Sequence, residues 1–177
     1  MSQSEAAIAR RSKQGALLLA AALCFVPLKA SLAACYQNAN GLPRFVLNGG
    51  EAFDTKTALT WKRCSLGSRW DGHGCAGEPT FASLDDATEM AKSEGPQWHV
   101  PSGPELESII DHSCGSPVVD STVFPDIRPN EEGTSEYWTT NAVGAANLFY
   151  FFDFMTGLAD GHSPGFHLAV RLVKTGR

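Results

Sequence analysis

The 177-residue sequence is poor in charge: 19% of its residues carry one, and beyond Lys13 no more than two Lys or Arg stand together. Without a basic run there is no electrostatic footprint for a phosphate backbone. C-x-x-C, H-x-x-x-H and H-E-x-x-H spacings are also missing, which removes the common zinc and metalloprotease patterns. There is no internal repeat and no low-complexity tract. Beyond residue 34, no stretch is apolar enough to cross a hydrocarbon core of ~30 Å. What is present is a globular composition, 43% hydrophobic and 10% aromatic. It excludes disorder, collagen and coiled coil.

Arg10, Arg11 and Lys13 precede the apolar run Ala16 to Val26, and Ser31-Leu32-Ala33 supplies a small-x-small cleavage pattern. Residues 1–34 therefore read as a secretory signal peptide and residues 35–177 as one domain; an uncleaved anchor is the alternative. Removing 1–34 takes four of the 14 basic and one of the 19 acidic residues, leaving 10 and 18 and a formal charge of −8. A surface of that sign repels nucleic acid and anionic lipid.

Cys24 leaves with the signal peptide, so Cys35, Cys64, Cys75 and Cys114 remain. An even count in an exported chain reads as two disulfides with three possible connectivities. Cys64 with Cys75 is favoured, because Gly67, Gly72 and Gly74 let the intervening loop fold back; Cys35 then pairs with Cys114. Loop-closure entropy assigns these bonds about 3 and 4.5 kcal/mol. A periplasmic or secreted location follows. The rival reading takes Leu32-Ala33-Ala34-Cys35 as a lipobox that anchors a lipoprotein through Cys35. Lys29 interrupts the approach to that motif, and lipidation would strand Cys114.

Residues 44–47 and 58–64 read as strands beside turn residues, and 65–80 as a Gly-rich loop. Ser83 is the expected N-cap of a helix stopped by Gly95 and Pro96, and Ser102-Gly103-Pro104-Glu105 a capping box opening a second helix that buries Leu106, Ile109 and Ile110. Residues 137–140, 148–154 and 166–173 are aromatic or β-branched strand candidates. The middle one has apolar residues at both parities and is expected to be central. The expectation is an α+β domain whose N- and C-terminal strands pair in one antiparallel sheet, with two mid-chain helices.

Six blocks carry a resemblance: Ala58 to Gly67, Trp98 to Leu106, Val123-Phe124-Pro125, Tyr137 to Thr140, Asp153 to Gly157 and Ala169 to Val173. In that order the chain resembles the Lcl C-terminal domain family, a group of exported bacterial domains named after a collagen-like adhesin. The resemblance implies a C-type-lectin-like fold, related in architecture to the formylglycine-generating enzymes. Two departures stand out. Thr57-Ala58-Leu59 replaces Thr-Gly-Leu, removing a residue free to take positive φ, so that turn is expected to differ. His99-Val100 replaces Arg-Leu, removing a guanidinium whose acceptor must find another donor.

No catalytic constellation emerges from His73, His99, His112, His162 and His167. The local pairs Asp111-His112 and Asp160-Gly161-His162 are weak, and the copper-binding cysteine pair of the formylglycine-generating enzymes has no counterpart after Cys114. No cofactor is expected. Calcium has partial support in the letters of Pro129-Asn130-Glu131-Glu132, but Arg128 stands where the first carboxylate belongs. Trp61, Trp98 and Trp138 sit in apolar contexts and read as core. Trp70, with Asp71 and His73 in a polar loop, reads as a contact surface or as the loop's own small core. Trp70, Asp71, His73, Asn130 and Glu131 are the candidate ligand-binding residues. The leading reading is a non-enzymatic, adhesin-like module binding a glycan or an envelope or host protein. The alternatives are an enzyme or enzyme accessory on the same fold, with a pocket joining His99, Asp111 or His162, and a structural envelope component with an exposed apolar patch at Phe149 to Phe154.

Overall fold

The computed structural model describes Cys35 and residues 41–177; the expected signal peptide lies outside the described residues. The described chain opens with an antiparallel meander of β1 (Phe45–Asn48), β2 (Glu51–Asp54) and β3 (Leu59–Lys62). β2 was not expected: Glu51-Ala52-Phe53-Asp54 is too short for alternation to register, and its neighbours hold it by burying Ala52 and Asp54. The 65–80 loop is not structureless either, since β4 (Arg69–Trp70) and β5 (Cys75–Ala76) form a short hairpin inside it.

Helix α1 (Leu84–Ser93) starts where the sequence indicates, with the Ser83 hydroxyl accepting from the Asp86 N–H, and buries Leu84, Ala87 and Ala91. Helix α2 (Gly103–Ser108) has the full capping box between Ser102 and Glu105. Next come β6 (Glu136–Val143), β7 (Leu148–Asp153) and β8 (Ala159–His162), a three-stranded antiparallel sheet with β7 central. β9 (Val173–Thr175) returns to pair with β3, so both ends of the domain share one sheet in the order β1-β2-β3-β9. β7 is covered on both sides at Phe151, Phe152 and Asp153, while Tyr150 is exposed, so the strand presents no continuous apolar patch.

The expected strand 166–173 is corrected. Phe166 ends a turn from Ser163, and the residues after it bond to different neighbours in turn: Leu168 to Ala82, Ala169 to Glu136 and Trp138, Val170 to Leu66, Leu172 to Lys62, and Val173 to His99. A ladder needs one continuous partner, so regular strand begins at Val173. The period of two survives: Leu168, Val170 and Leu172 enter one buried cluster with Leu66, Trp98 and Trp138, whereas Ala169 and Val173 enter the other with Trp61, Phe124 and Tyr137. Trp61, Trp98 and Trp138 are all core.

Arg171 lies on the second side of that segment and is fully buried. Its guanidinium meets Asp126 Oδ1 at 2.6 Å and Ser65 Oγ at 3.1 Å, donates to the Arg63 carbonyl, and lies over the Phe124 and Tyr137 rings. Burial pushes the Asp126 carboxyl up, but Arg171 and the Ser65 N–H outweigh it and hold it below its ordinary value. Asp54 is also held low, against its burial, by Arg44, Thr57 and the Lys56 N–H. Arg44 donates to Ser108 O at 2.8 Å as well, tying the chain before β1 to α2.

Both expected disulfides are present, Cys35–Cys114 and Cys64–Cys75. The first occupies the sulfur that lipidation of Cys35 would need. Among the described residues no helix is long and apolar enough to cross a membrane. Ala58 takes φ 58°, the left-handed backbone that glycine adopts freely. At position 99, His99 Nε2 sits 3.3 Å from Glu105 Oε1, and the Ser102 N–H and hydroxyl donate to Glu105 Oε2 at 2.7 Å each.

Two expectations follow. Left-handed backbone costs an alanine roughly 1–2 kcal/mol, partly offset by the chain entropy of glycine, so Ala58→Gly should stabilise by about 1 kcal/mol and raise Tm by about 3 °C. An unchanged Tm would show that the turn is unstrained. Asp126 and Asp54 titrate lower folded than unfolded, so their stability is present above about pH 4 and is lost as pH falls through the lowered values. Asp126→Asn should cost about 3 kcal/mol at pH 7 and flatten the acid limb of a Tm-against-pH profile. A limb as steep as the parent's would locate acid sensitivity elsewhere.

Candidate binding cleft

A cavity of about 660 Å³ lies against the Cys64–Cys75 loop, with Trp70, Arg69, Ser68, Glu51, Lys62 and Glu94 among its lining residues. Local sequence explains the placement of Trp70. The Cys64–Cys75 bond closes the base of the loop, and the Asp71 carboxylate closes its tip by accepting from the His73 and Gly74 N–H groups at 2.8 and 2.9 Å. Those two N–H donors also hold the Asp71 carboxyl below its ordinary value. Gly67, at φ 93°, lies so close to Thr80 that a Cβ there would stand 2.6 Å from the Thr80 backbone nitrogen, and the Thr80 N–H bonds Leu66 O at 2.7 Å.

Arg63 fixes the indole. Its guanidinium donates to Val123 O (3.1 Å), Gly49 O (3.0 Å) and Thr122 O (2.9 Å), and its carbon lies 3.6 Å from the centre of the Trp70 ring. With the in-plane donors engaged, its flat face is left for stacking. Gly50 allows the approach, because a Cβ there would sit 2.9 Å from Trp70 Cβ. Trp70 is half-buried and lines the cavity, so it is both an anchored part of its loop and a presented surface.

The charges beside it are paired. Glu51 meets Lys174 at 2.9 Å and Glu94 meets Lys62 at 3.2 Å, and both ammonium groups lie 4.6 Å from the Trp98 ring centre. Arg69 is exposed, and its guanidinium makes no hydrogen bond or ion pair among the described residues. Glu51, Lys62, Glu94 and Arg69 were not read as site residues from sequence. Arg69 could have been, as the neighbour of Trp70; Glu51 carried no signal because β2 itself carried none.

The other candidates are placed apart from this cleft. Asp71 and His73 sit at the loop tip and do not line the cavity. Asn130 serves its own turn, accepting from the Glu132 and Thr134 N–H groups at 3.0 and 2.9 Å and donating to the Thr134 hydroxyl. It borders a second cavity of about 280 Å³, which Glu131, although exposed, does not line. Neither cavity is lined by His99, Asp111 or His162: His99 faces Glu105, Asp111 caps the 3-10 turn His112–Cys114, and His162 stacks between Phe151 and Phe166. Cys64, Cys75 and Asp126 cluster within 4.8 Å, but the sulfurs are joined to each other and the carboxylate is held by Arg171 and Ser65. None of the three is free to ligate.

The fold and cleft define a disulfide-stapled α+β domain of mostly antiparallel strands with a tryptophan-lined surface cavity. Residues 50–174 match the Lcl C-terminal domain, and the chain belongs to that family. No curated protein matches the chain.

If Arg63 positions Trp70, the two should be energetically coupled. A double-mutant cycle with Arg63→Met and Trp70→Phe, read by denaturant melts, should give an interaction energy of about 1 kcal/mol. Purely additive effects would mean the stack is incidental.

Proposed function

We propose that this chain is an exported, non-enzymatic binding module of C-type-lectin-like fold that takes a glycan in the Trp70 cleft. The observation that carries the reading is the indole held by Arg63 on a disulfide-closed loop. A rigid aromatic face offers a pyranose ring its apolar side at little entropic cost. Cavities of several hundred Å³ suit such ligands, and the 660 Å³ here is bordered by hydroxyl, amide and paired charged groups that can meet sugar hydroxyls. The two disulfides and the absence of a spanning helix among the described residues accord with a periplasmic or secreted site of action.

The reading as a binder rather than an enzyme is supported by the separation of His99, Asp111 and His162 from both cavities. The reading requires no calcium: the Asn130 oxygen closes its own turn and the nearby Asp126 is spent on Arg171 and Ser65, so neither is offered to an ion. An envelope or host protein remains the second class of ligand, and the same cleft would receive its exposed side chains.

A glycan array followed by titration calorimetry tests the proposal. Trp70→Ala should weaken binding about 10- to 100-fold, equivalent to about 1.4–2.8 kcal/mol, while circular dichroism stays native and added chelator changes nothing. Undiminished binding by Trp70→Ala would overturn the site, and cleavage of the bound glycan would overturn the non-enzymatic reading.

A further inference from the structure

The second cavity has a different chemistry. Its walls include Phe81 and Phe166, which are 58% and 51% exposed, together with Glu132, Glu136 and Arg128. Single exposed phenylalanines are ordinary, but two that border one cavity form part of a shared apolar wall, and these two are held in place. An antiparallel bridge between Ala82 and Leu168, with both hydrogen bonds at 3.1 Å, fixes the segments that carry them. The Phe166 N–H bonds Ser163 O at 3.0 Å, and the Phe166 ring stacks on His162 at 4.0 Å and 12°. His162 in turn stacks on the buried Phe151 at 4.7 Å and 17°, so Phe166 caps a column of three rings rooted in the core.

The charges in this cavity do not cancel. Asp126, which also borders it, is neutralised by Arg171. Glu132 has no side-chain partner among the described residues, and Glu136 has His162 Nε2 at 3.9 Å, too long for a hydrogen bond. Two carboxylates against the single Arg128 guanidinium leave one net negative charge beside two aromatic rings. A purely apolar ligand would desolvate those carboxylates without compensation. A bare metal ion would meet hydrocarbon on the Phe81 and Phe166 side and find the Asn130 oxygen already engaged. A cation with an apolar surface satisfies both halves, by cation–π contact with the rings and by charge pairing with the glutamates.

We propose that the cavity bounded by Phe81, Phe166, Glu132 and Glu136 binds an organic ammonium group. That chemistry is shared by a lysine side chain on a partner and by a methylated ammonium on a small molecule. This site is separate from the Trp70 cleft and does not depend on the glycan reading.

The test titrates the disulfide-bonded protein, by calorimetry or NMR, with choline, with Nα-acetyl-lysine methylamide, and with 3,3-dimethylbutan-1-ol as the neutral isostere of choline. At least one cation should bind saturably and about tenfold or more tighter than the neutral isostere, a difference of about 1.4 kcal/mol. The preferred cation distinguishes the two sources. Phe166→Ala and Glu136→Gln should each weaken it about tenfold with Tm nearly unchanged, and Phe81→Ala serves the same purpose if Phe166→Ala fails to fold. Trp70→Ala should leave cation binding intact. Equal binding of the neutral isostere, no saturation by either cation at about 10 mM, or full affinity in the variants would each overturn the proposal.

Discussion

The structure depends on one buried charge. Arg171 sits at the centre of an extended segment whose side chains alternate between two apolar clusters, and a guanidinium placed there must be answered on the spot. Asp126 answers its charge, and the Arg63 carbonyl and the Ser65 hydroxyl take further donors of its two terminal nitrogens, while Nε is left buried without a hydrogen-bond partner among the described residues. Ser65 then bonds the Tyr137 hydroxyl at 2.7 Å and gives its N–H to Asp126 at 2.6 Å. Four separate stretches of sequence, around residues 65, 126, 137 and 171, are thereby fixed to one another. A well-packed apolar substitute for the pair could match its stability, but it would not dictate which backbone carbonyls come together. The value of the ion pair lies in register, and the register sets where the 64–75 loop leaves the core.

From that point the construction of the cleft is sequential. Arg171 holds the Arg63 carbonyl, so the Arg63 backbone is anchored from one side while its side chain reaches the carbonyls of residues 49, 122 and 123. Cys64 follows immediately and closes the loop with Cys75. Trp70 is then pressed between the cleft and a guanidinium that cannot move. A half-buried indole on a Gly-rich loop would otherwise be mobile; here its order is inherited from the core through two consecutive residues.

How far this could be read in the sequence follows from which interactions are local. Caps are local, so Ser83, Ser102 and Glu105 announced both helices. The Gly-rich spacing between Cys64 and Cys75 announced that bond, and with it the other. Trp70 stood out because its neighbours are polar. The residues 166–173 were apolar enough to suggest a strand but could not reveal that they would find different neighbours, since that is a property of four distant segments, around residues 62–66, 82, 99 and 136–138. β2 was invisible for a similar reason: its four residues are held by β1 and β3, not by their own pattern. The second cavity was also hidden, because Phe81 and Phe166 are far apart in sequence and are brought to one cavity by segments joined at the Ala82–Leu168 bridge.

Burial also changes what the net charge means. Residues 41–177 contain 10 basic and 18 acidic residues, but four of the cations, Arg44, Arg63, Arg171 and Lys174, are buried, against three of the acids, Asp54, Asp120 and Asp153. The fold therefore spends cations internally at a much higher rate than anions: 40% of one set and about a sixth of the other. Water sees six basic and 15 acidic groups, a more lopsided surface than the formula suggests. Long-range steering on such a surface favours cationic ligands and disfavours polyanions. The Trp70 cleft is exempt from that bias, because Glu51 and Glu94 are each matched by a lysine there and Arg69 adds a positive rim. The cavity bounded by Phe81 and Phe166 is not exempt, since Glu132, which has no side-chain partner among the described residues, and Glu136, with only His162 Nε2 at 3.9 Å, share the sign of the surrounding field. The same economy that uses guanidinium groups to hold the core together thus leaves two surface cavities of different electrostatic character on one small domain.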